Sequence, residues 1–183
     1  MLAHSLGADA ELRPLEPWQA PTFAAYVERH RAHLAPWLPW GVSITDEDAA
    51  RAFLQRYADG TAADGGRIYG LWAHGELVGG TLFRIFDARA SLCEVGVWLA
   101  PGSEGRGLIT RAVTAMVDWA VRERGIRRVE WHCVPENTRS RAVAVRLGMT
   151  HEGTLRQDFE HAGRRWDTEV WAVLAEEWVT MHP

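Results

Sequence analysis

Residues 103–116, SEGRGLITRAVTAM, set two glycines around an arginine and then run directly into a helical pattern. The stretch follows EVGVWL (94–99), an apolar run with strand character. Glycines at such a junction have two explanations: a plain tight turn, or a backbone that must approach a ligand so closely that side chains would obstruct it. Beyond them, Ile109, Ala112, Val113, Met116 and Ala120 recur at helical spacing, with Arg111, Thr114, Asp118 and Arg122 on the other side. The helix is expected to end near ERG, with Gly125 just past its last turn. RRVEWHCV (127–134) reads as the next strand, so residues 92–134 form a strand–helix–strand unit with a parallel pair at its heart.

Upstream of this unit, ELRPL (11–15) reads as a short strand. PWQAPTFAAYVERHRAH (17–33) and TDEDAARAFLQRYADG (45–60) read as helices, the second opening on Thr45 and Asp48 as a capping pair. GGRIYGLWAHGELVGGTLFRIFD (65–87) reads as two strands joined at His74-Gly75. Downstream, ENTRSRAVAVRLGM (136–149) is a short helix capped by Asn137 and stopped by Gly148, and strands at 151–160 and 164–174 follow. The expected class is α/β (α+β), a mixed sheet of about seven strands flanked by about four helices.

A chain of 183 residues fits one domain, 1–183, with a core that needs no disulfide or metal staple. A net charge of −4 argues against nucleic acid and against a polybasic membrane contact. The apolar stretches fall short of a bilayer span and the first residues lack a signal-peptide pattern, which predicts a soluble, cytoplasmic protein. All 20 basic residues are arginine, which removes the Walker-A lysine and Schiff-base chemistry. Cys93 and Cys133 sit in strand-like runs and are expected to be buried free thiols. His30 and His33 have no third ligand at a recognisable spacing, so they read as surface histidines and no metal is expected. Most of the ten tryptophans must be core or interface anchors, while Trp37 and Trp40, between prolines in APWLPWG, are candidates to line a substrate cleft.

A strand that feeds a helix N-terminus through Gly-x-Gly makes an anion site, because unpaired N–H groups and the helix dipole point at the ligand. Gly105 and Gly107 would let the backbone reach a phosphate, with Arg106 adding charge. Thr110 stands where a dinucleotide fingerprint would need its third glycine.

EVGVWLAPGSEGRGLITRAV (94–113) and WHCVPENTRSRAVAVRLGMTHEGTL (131–155) together resemble the GNAT superfamily of N-acetyltransferases, most closely its ribosomal-protein (RimJ/RimL-type) branch. HLAPWLPW (33–40) and EGTLRQDFEHAGRRWDTEVWAVL (152–174) extend the likeness over most of the chain. The resemblance implies that the parallel strands splay apart to admit acetyl-CoA, with no metal. Its pyrophosphate motif, Gln/Arg-x-x-Gly-x-Gly/Ala, falls on Glu104, Gly105, Arg106, Gly107, Leu108 and Ile109. Glu104 and Ile109 depart from the pattern, and Glu104 would have to point outward. The backbone of Trp98 and Leu99 would pair with the pantetheine arm, the Trp98 amide would serve the oxyanion, and Asn137 would hold the cofactor arm or only cap its helix.

Transfer to an amine needs a base for the ammonium proton and a donor for the leaving sulfur. By resemblance, Glu94 is the base candidate, ten residues before Glu104, as in the histone-acetylating members. The equal alternative is a strand glutamate paired with an arginine. Ser140 matches the branch's proposed general acid, or it only bonds backbone in its helix's first turn. The branch's other base, a glutamate after EG-x-L, falls on Phe159, and its neighbours Asp158 and Glu160 should both point to the face opposite Phe159, so neither substitutes automatically. The implied function is acetylation of a primary amine, on a protein N-terminus or a small molecule, by direct attack rather than through Cys133. The alternatives are a non-catalytic coenzyme A-binding module and an acyltransferase using another acyl donor. An exposed late strand and the surplus tryptophans admit a homodimer. Loops 33–45 and 158–166 are expected to select the acceptor.

Overall fold

The computed structural model describes residues 3–7 and 9–183. The described residues form eight strands: β1 (His4–Ser5), β2 (Ala10–Pro14), β3 (Arg67–Ala73), β4 (Glu76–Asp87), β5 (Leu92–Leu99), β6 (Arg128–Cys133), β7 (Thr150–His161) and β8 (Arg164–Leu174). They make one sheet in the order β1-β2-β3-β4-β5-β6-β8-β7. All neighbouring pairs are antiparallel except β5 and β6, the parallel pair that the strand–helix–strand reading required.

The helices are α1 (Ala20–Leu34), α2 (Pro39–Ser43), α3 (Glu47–Ala62), α4 (Leu108–Asp118), α5 (Thr138–Arg146) and α6 (Ala175–Met181). Two of them, α2 and α6, are too short for a periodic signal, and the sequence reading has neither. The helix read from residue 17 opens as a 3-10 turn, Pro17–Gln19, and becomes α-helical at Ala20. The cap of α3 lies one residue from the expected Thr45: Asp46 accepts from Ala49 N at 2.8 Å, and Thr45 bonds the Asp46 carboxylate instead. None of these helices is long and apolar enough to cross a membrane.

Alternation splits the core in two. Cys93, Val95, Val129, Trp131 and Cys133 face α4, α5 and α6, where they meet the stripe Ile109, Ala112, Val113, Met116 and Ala120. Trp98 and Leu82 face α1 and α3, where they meet Phe23, Phe53 and Leu54. After Asp118 the chain makes a π-helical turn, Trp119–Glu123, and Ile126 N bonds Ala120 O at 3.0 Å. The two cysteines are free and buried, as expected.

Three irregularities shape the site. The β5–β6 ladder spans only Leu92–Glu94 against Arg128–Glu130, after which the two strands part. In β4 the register slips between Phe83 and Ile85, leaving Arg84 as a bulge beside Glu94. In β7 the register slips between Leu155 and Phe159, where Gln157 takes a left-handed φ of 52°. Bulges of this kind bend a strand and re-aim the side chains they carry.

Candidate active site

The gap where β5 and β6 part opens into a cavity of about 1050 Å³. At one end it is bounded by the turn from β5 to α4 and by the first turn of α5. At the other it is bounded by α2, the end of α1, the bulged part of β7 and the polar face of β5–β6.

The glycine turn answers the question its sequence raises. Gly105 and Gly107 have φ of 75° and 68°, in the left-handed region where a Cβ is costly, so local geometry alone requires both. Gly107 also caps α4, whose first helical bond is Arg111 N to Gly107 O at 3.1 Å. The amides that precede Arg111 have no carbonyl one turn back, and their residues Gly107, Leu108, Ile109 and Thr110 line the cavity. The turn and the anion site are therefore compatible readings of one structure.

Charge at this end comes from unexpected residues. Arg106 lies outside the cavity lining, and its carbonyl accepts from Arg111. Arg139 and Arg146 of α5 line the cavity instead, with Arg146 Nη1 3.5 Å from Thr110 Oγ1. Glu104 does not point outward as expected: it lines the cavity with Arg139 Nη1 at 3.4 Å and His33 Nε2 at 3.9 Å. The Arg139 guanidinium beside Glu104 offsets the charge it brings. His33 is half-buried here, a departure from the surface position expected. Leu108 and Ile109 are buried under the turn.

Backbone polarity along β5 refines the expected contacts. Ala100 N–H donates to Val78 O on the β4 side at 2.8 Å. Strand amides alternate in direction, so the Trp98 amide also turns to β4, whereas those of Val97 and Leu99 face the gap. Trp98 serves the site through its ring, which is buried against Trp40 at 5.4 Å between centroids. Trp40 is thus a wall of the cavity, and Trp37 lines the same end half-buried.

On α5, Asn137 Oδ1 accepts from Ser140 N at 3.1 Å, so Asn137 caps its helix while lining the cavity. Ser140 Oγ accepts from Trp131 Nε1 at 2.9 Å, which leaves the hydroxyl hydrogen free to donate. Beside it, burial pushes the Cys133 thiol up to about 11, so this residue is a poor nucleophile near neutrality.

The polar face of β5–β6 carries the acid–base groups. Both carboxylate oxygens of Glu94 accept from Arg84, Oε1 from Nε at 2.5 Å and Oε2 from Nη2. The Glu94 side chain is 5% exposed and that of Arg84 55%, so this is the arginine-paired arrangement, with one partner in water. His132 lies between two carboxylates, Nδ1 3.7 Å from Glu94 and Nε2 3.1 Å from Glu130. Glu130 is in turn held by Arg128 Nε at 2.7 Å. From β7, Asp158 and Phe159 both line the cavity, although neighbours on a regular strand would diverge. The bulge accounts for this: Gln157 N donates to Asp167 Oδ1 at 2.9 Å and the chain turns before resuming its pairing. Glu160 is exposed. Outside the cavity lining, His161 donates from Nε2 to Ala35 O at 2.6 Å, tying β7 to the end of α1.

Such an arrangement can hold an anion at a helix N-terminus and expose a bond in the strand gap to a histidine and carboxylates. The family model described as an acetyltransferase (GNAT) domain matches residues 10–150. The chain belongs to that family. This acetyltransferase is 28% identical over 172 residues to a putative ribosomal N-acetyltransferase, YdaF, of Bacillus subtilis (strain 168), an alignment covering 91% of this chain and 92% of that one. It is 25% identical over 129 residues to the ribosomal-protein-serine acetyltransferase of Escherichia coli (strain K12), covering 70% and 72%. A solved RimL, described as a ribosomal L7/L12 α-N-protein acetyltransferase in complex with coenzyme A, superposes with a TM-score of 0.90 over 94% of this chain and 97% of its own, at 23% identity.

The acetyltransferase's sequence left Arg84, His132, Arg139 and Arg146 unassigned. A signal existed for His132, since Arg128, Glu130 and His132 alternate with Val129, Trp131 and Cys133. It marked a polar face without saying that the face abuts Glu94.

Proposed function

We propose that this acetyltransferase moves the acetyl group of acetyl-CoA to the α-amine of a peptide or protein N-terminus by direct attack. The observation that carries the reading is the cavity in the β5–β6 gap, joining an N–H-rich, arginine-flanked turn to a histidine–carboxylate face. Acetyl-CoA would supply the activated acyl group. The amides at Gly107 and Leu108, with Arg139 and Arg146, would hold its pyrophosphate. The Val97 and Leu99 amides would pair with its arm as an added strand and support the oxyanion. Ser140, its oxygen already engaged by Trp131, would donate to the departing sulfur. Trp37, Trp40, Phe159 and Asp158 would receive the amine, Asp158 matching its positive charge.

The choice of an N-terminal amine leans on the two named relatives, one a putative ribosomal N-acetyltransferase and the other a ribosomal-protein-serine acetyltransferase. A cytoplasmic location goes with that choice, and a homodimer would use the exposed edge β7.

Calorimetric titration with acetyl-CoA tests the donor site. Gly107→Glu adds a carboxylate at the helix start, where its own Cβ meets only Arg111 Nη1 at 3.1 Å. The expected result is a dissociation constant at least a hundredfold weaker, with wild-type protein binding tightly and releasing thiol when given a peptide with a free N-terminal serine. Equal binding by both proteins would remove the pyrophosphate assignment. No binding by wild-type protein would remove acetyl-CoA as donor.

A further inference from the structure

The carboxylate expected to take the proton is occupied. Both oxygens of Glu94 already accept from Arg84, so protonating it means discharging the carboxylate of that ion pair. His132 has no such encumbrance. Its Nε2 sits 3.1 Å from Glu130 Oε2, and a carboxylate only accepts, so Nε2 carries the hydrogen. The neutral ring therefore presents its lone pair at Nδ1. That atom is 3.7 Å from Glu94 Oε2, beyond a hydrogen bond, and the ring lines the cavity with its side chain 23% exposed.

We infer that His132 is a catalytic residue, the general base for the amine, and that Glu130 and Glu94 are positioning residues acting through it. The logic is that of any base oriented by a third group: Glu130 fixes the tautomer, Arg128 fixes Glu130, and the Glu94–Arg84 pair sets a carboxylate beside the nitrogen that becomes charged. In the step itself, the amine nitrogen forms a bond to the thioester carbonyl carbon. Its proton passes to Nδ1, the carbon–sulfur bond breaks with its electron pair going to sulfur, and Ser140 donates to that sulfur. The proton on His132 passes to water as product leaves, and Ser140 regains from water the proton it gave to sulfur. The inference rests on the acetyl transfer proposed above.

Other charged or titratable groups around the ring belong to several elements. They are Arg84 on β4, Glu94 on β5, Arg128 and Glu130 on β6, Asp158 on β7 and Tyr57 on α3, the last held neutral by burial. All are present in each variant that changes only His132, so a comparison at that position isolates the imidazole.

The test uses His132→Ala and His132→Gln with acetyl-CoA and a peptide bearing a free N-terminal serine, following kcat against pH, acetyl-CoA affinity and the thermal midpoint. General-base loss predicts a fall in kcat of about 10²–10⁴-fold, with acetyl-CoA affinity and the midpoint close to wild type. Added imidazole should restore His132→Ala at least tenfold, and the acid limb of kcat should vanish in His132→Gln. Glu130→Gln, which no longer fixes the tautomer, should lower kcat while KM for the peptide and acetyl-CoA affinity stay close to wild type. A kcat within threefold of wild type would overturn the assignment. So would a loss that imidazole fails to rescue while the acid limb of His132→Gln stays in place. Wild-type protein that releases no thiol would instead strike at the acetyl-transfer reading beneath it.

Discussion

Gly80 lies where the sheet meets the ring of Trp98, and an alanine there should be felt in both stability and acceptor binding. A Cβ at position 80 would sit 2.2 Å from Trp98 Cζ2, 2.4 Å from Trp98 Cη2 and 2.4 Å from Tyr69 O. One obstacle is main chain. The other is a ring packed against Phe23 and Trp40, with centroids at 6.2 and 5.4 Å, so it cannot swing aside. Overpacking a tight core costs about 1–3 kcal/mol, and two rigid obstacles place Gly80→Ala at the upper end, near about 3 kcal/mol. For a chain of this size each kcal/mol lowers Tm by about 2–4 °C, giving a fall of roughly 6–12 °C. Trp98→Leu removes one obstacle and leaves Tyr69 O. In that background the alanine should cost less than half as much, a coupling of at least about 1 kcal/mol in a double-mutant cycle. Urea unfolding of the four proteins reads this directly. Additivity to within about 0.5 kcal/mol, or a Tm for Gly80→Ala within a degree of wild type, would refute the account. Because Trp98 and Trp40 wall the end of the cavity proposed to receive the amine, the same alanine should raise KM for the peptide while leaving acetyl-CoA affinity within threefold.

Ser140→Ala should act twice: it orphans the buried Trp131 N–H, costing about 1–3 kcal/mol by unfolding, and it lowers kcat about tenfold or more with acetyl-CoA affinity kept, as read by thiol release. An unchanged kcat would leave Ser140 with a structural role alone. Iodoacetamide should modify Cys133 slowly, at a rate rising about tenfold per pH unit from neutral to mildly alkaline pH, since burial holds the thiol at about 11. Acetyl-CoA should protect it because it lines the cavity. A rate that levels off near pH 8 would contradict that value.

Much of this architecture was readable before any coordinates. The stripe Ile109, Ala112, Val113, Met116 and Ala120 is buried throughout, and the strand–helix–strand unit around it has its parallel pair. Periodicity reports such features because each residue's neighbours are set by the element it belongs to. It fails where the element departs from regularity. The bulge at Arg84 delivers a guanidinium to Glu94, and the bulge after Leu155 brings Asp158 to the same cavity as Phe159. Neither slip leaves a mark in the pattern, because a bulge is decided by pairing with the neighbouring strand. His132 shows the same limit. Its face was legible, but its distance to Glu94 depends on the β5–β6 register, which no local rule supplies. The Trp98 amide was misdirected for the complementary reason: side-chain alternation is visible in sequence, and the matching alternation of the backbone is set by the partner strand.

The position of β8 in the sheet has a temporal consequence. Among the described residues β7 pairs only with β8, and β8 docks on β6 through Cys133↔Glu169 to Arg128↔Leu174. The wall that brings Asp158, Phe159 and Thr168 to the cavity therefore stands only once β8 has been inserted between strands made earlier. During synthesis the glycine turn and its helix emerge well before β8, so the residues proposed to hold the pyrophosphate are made before this wall can stand. On the proposed function, a chain whose last strand is not yet in place would lack the Asp158–Phe159 wall that is to receive the amine.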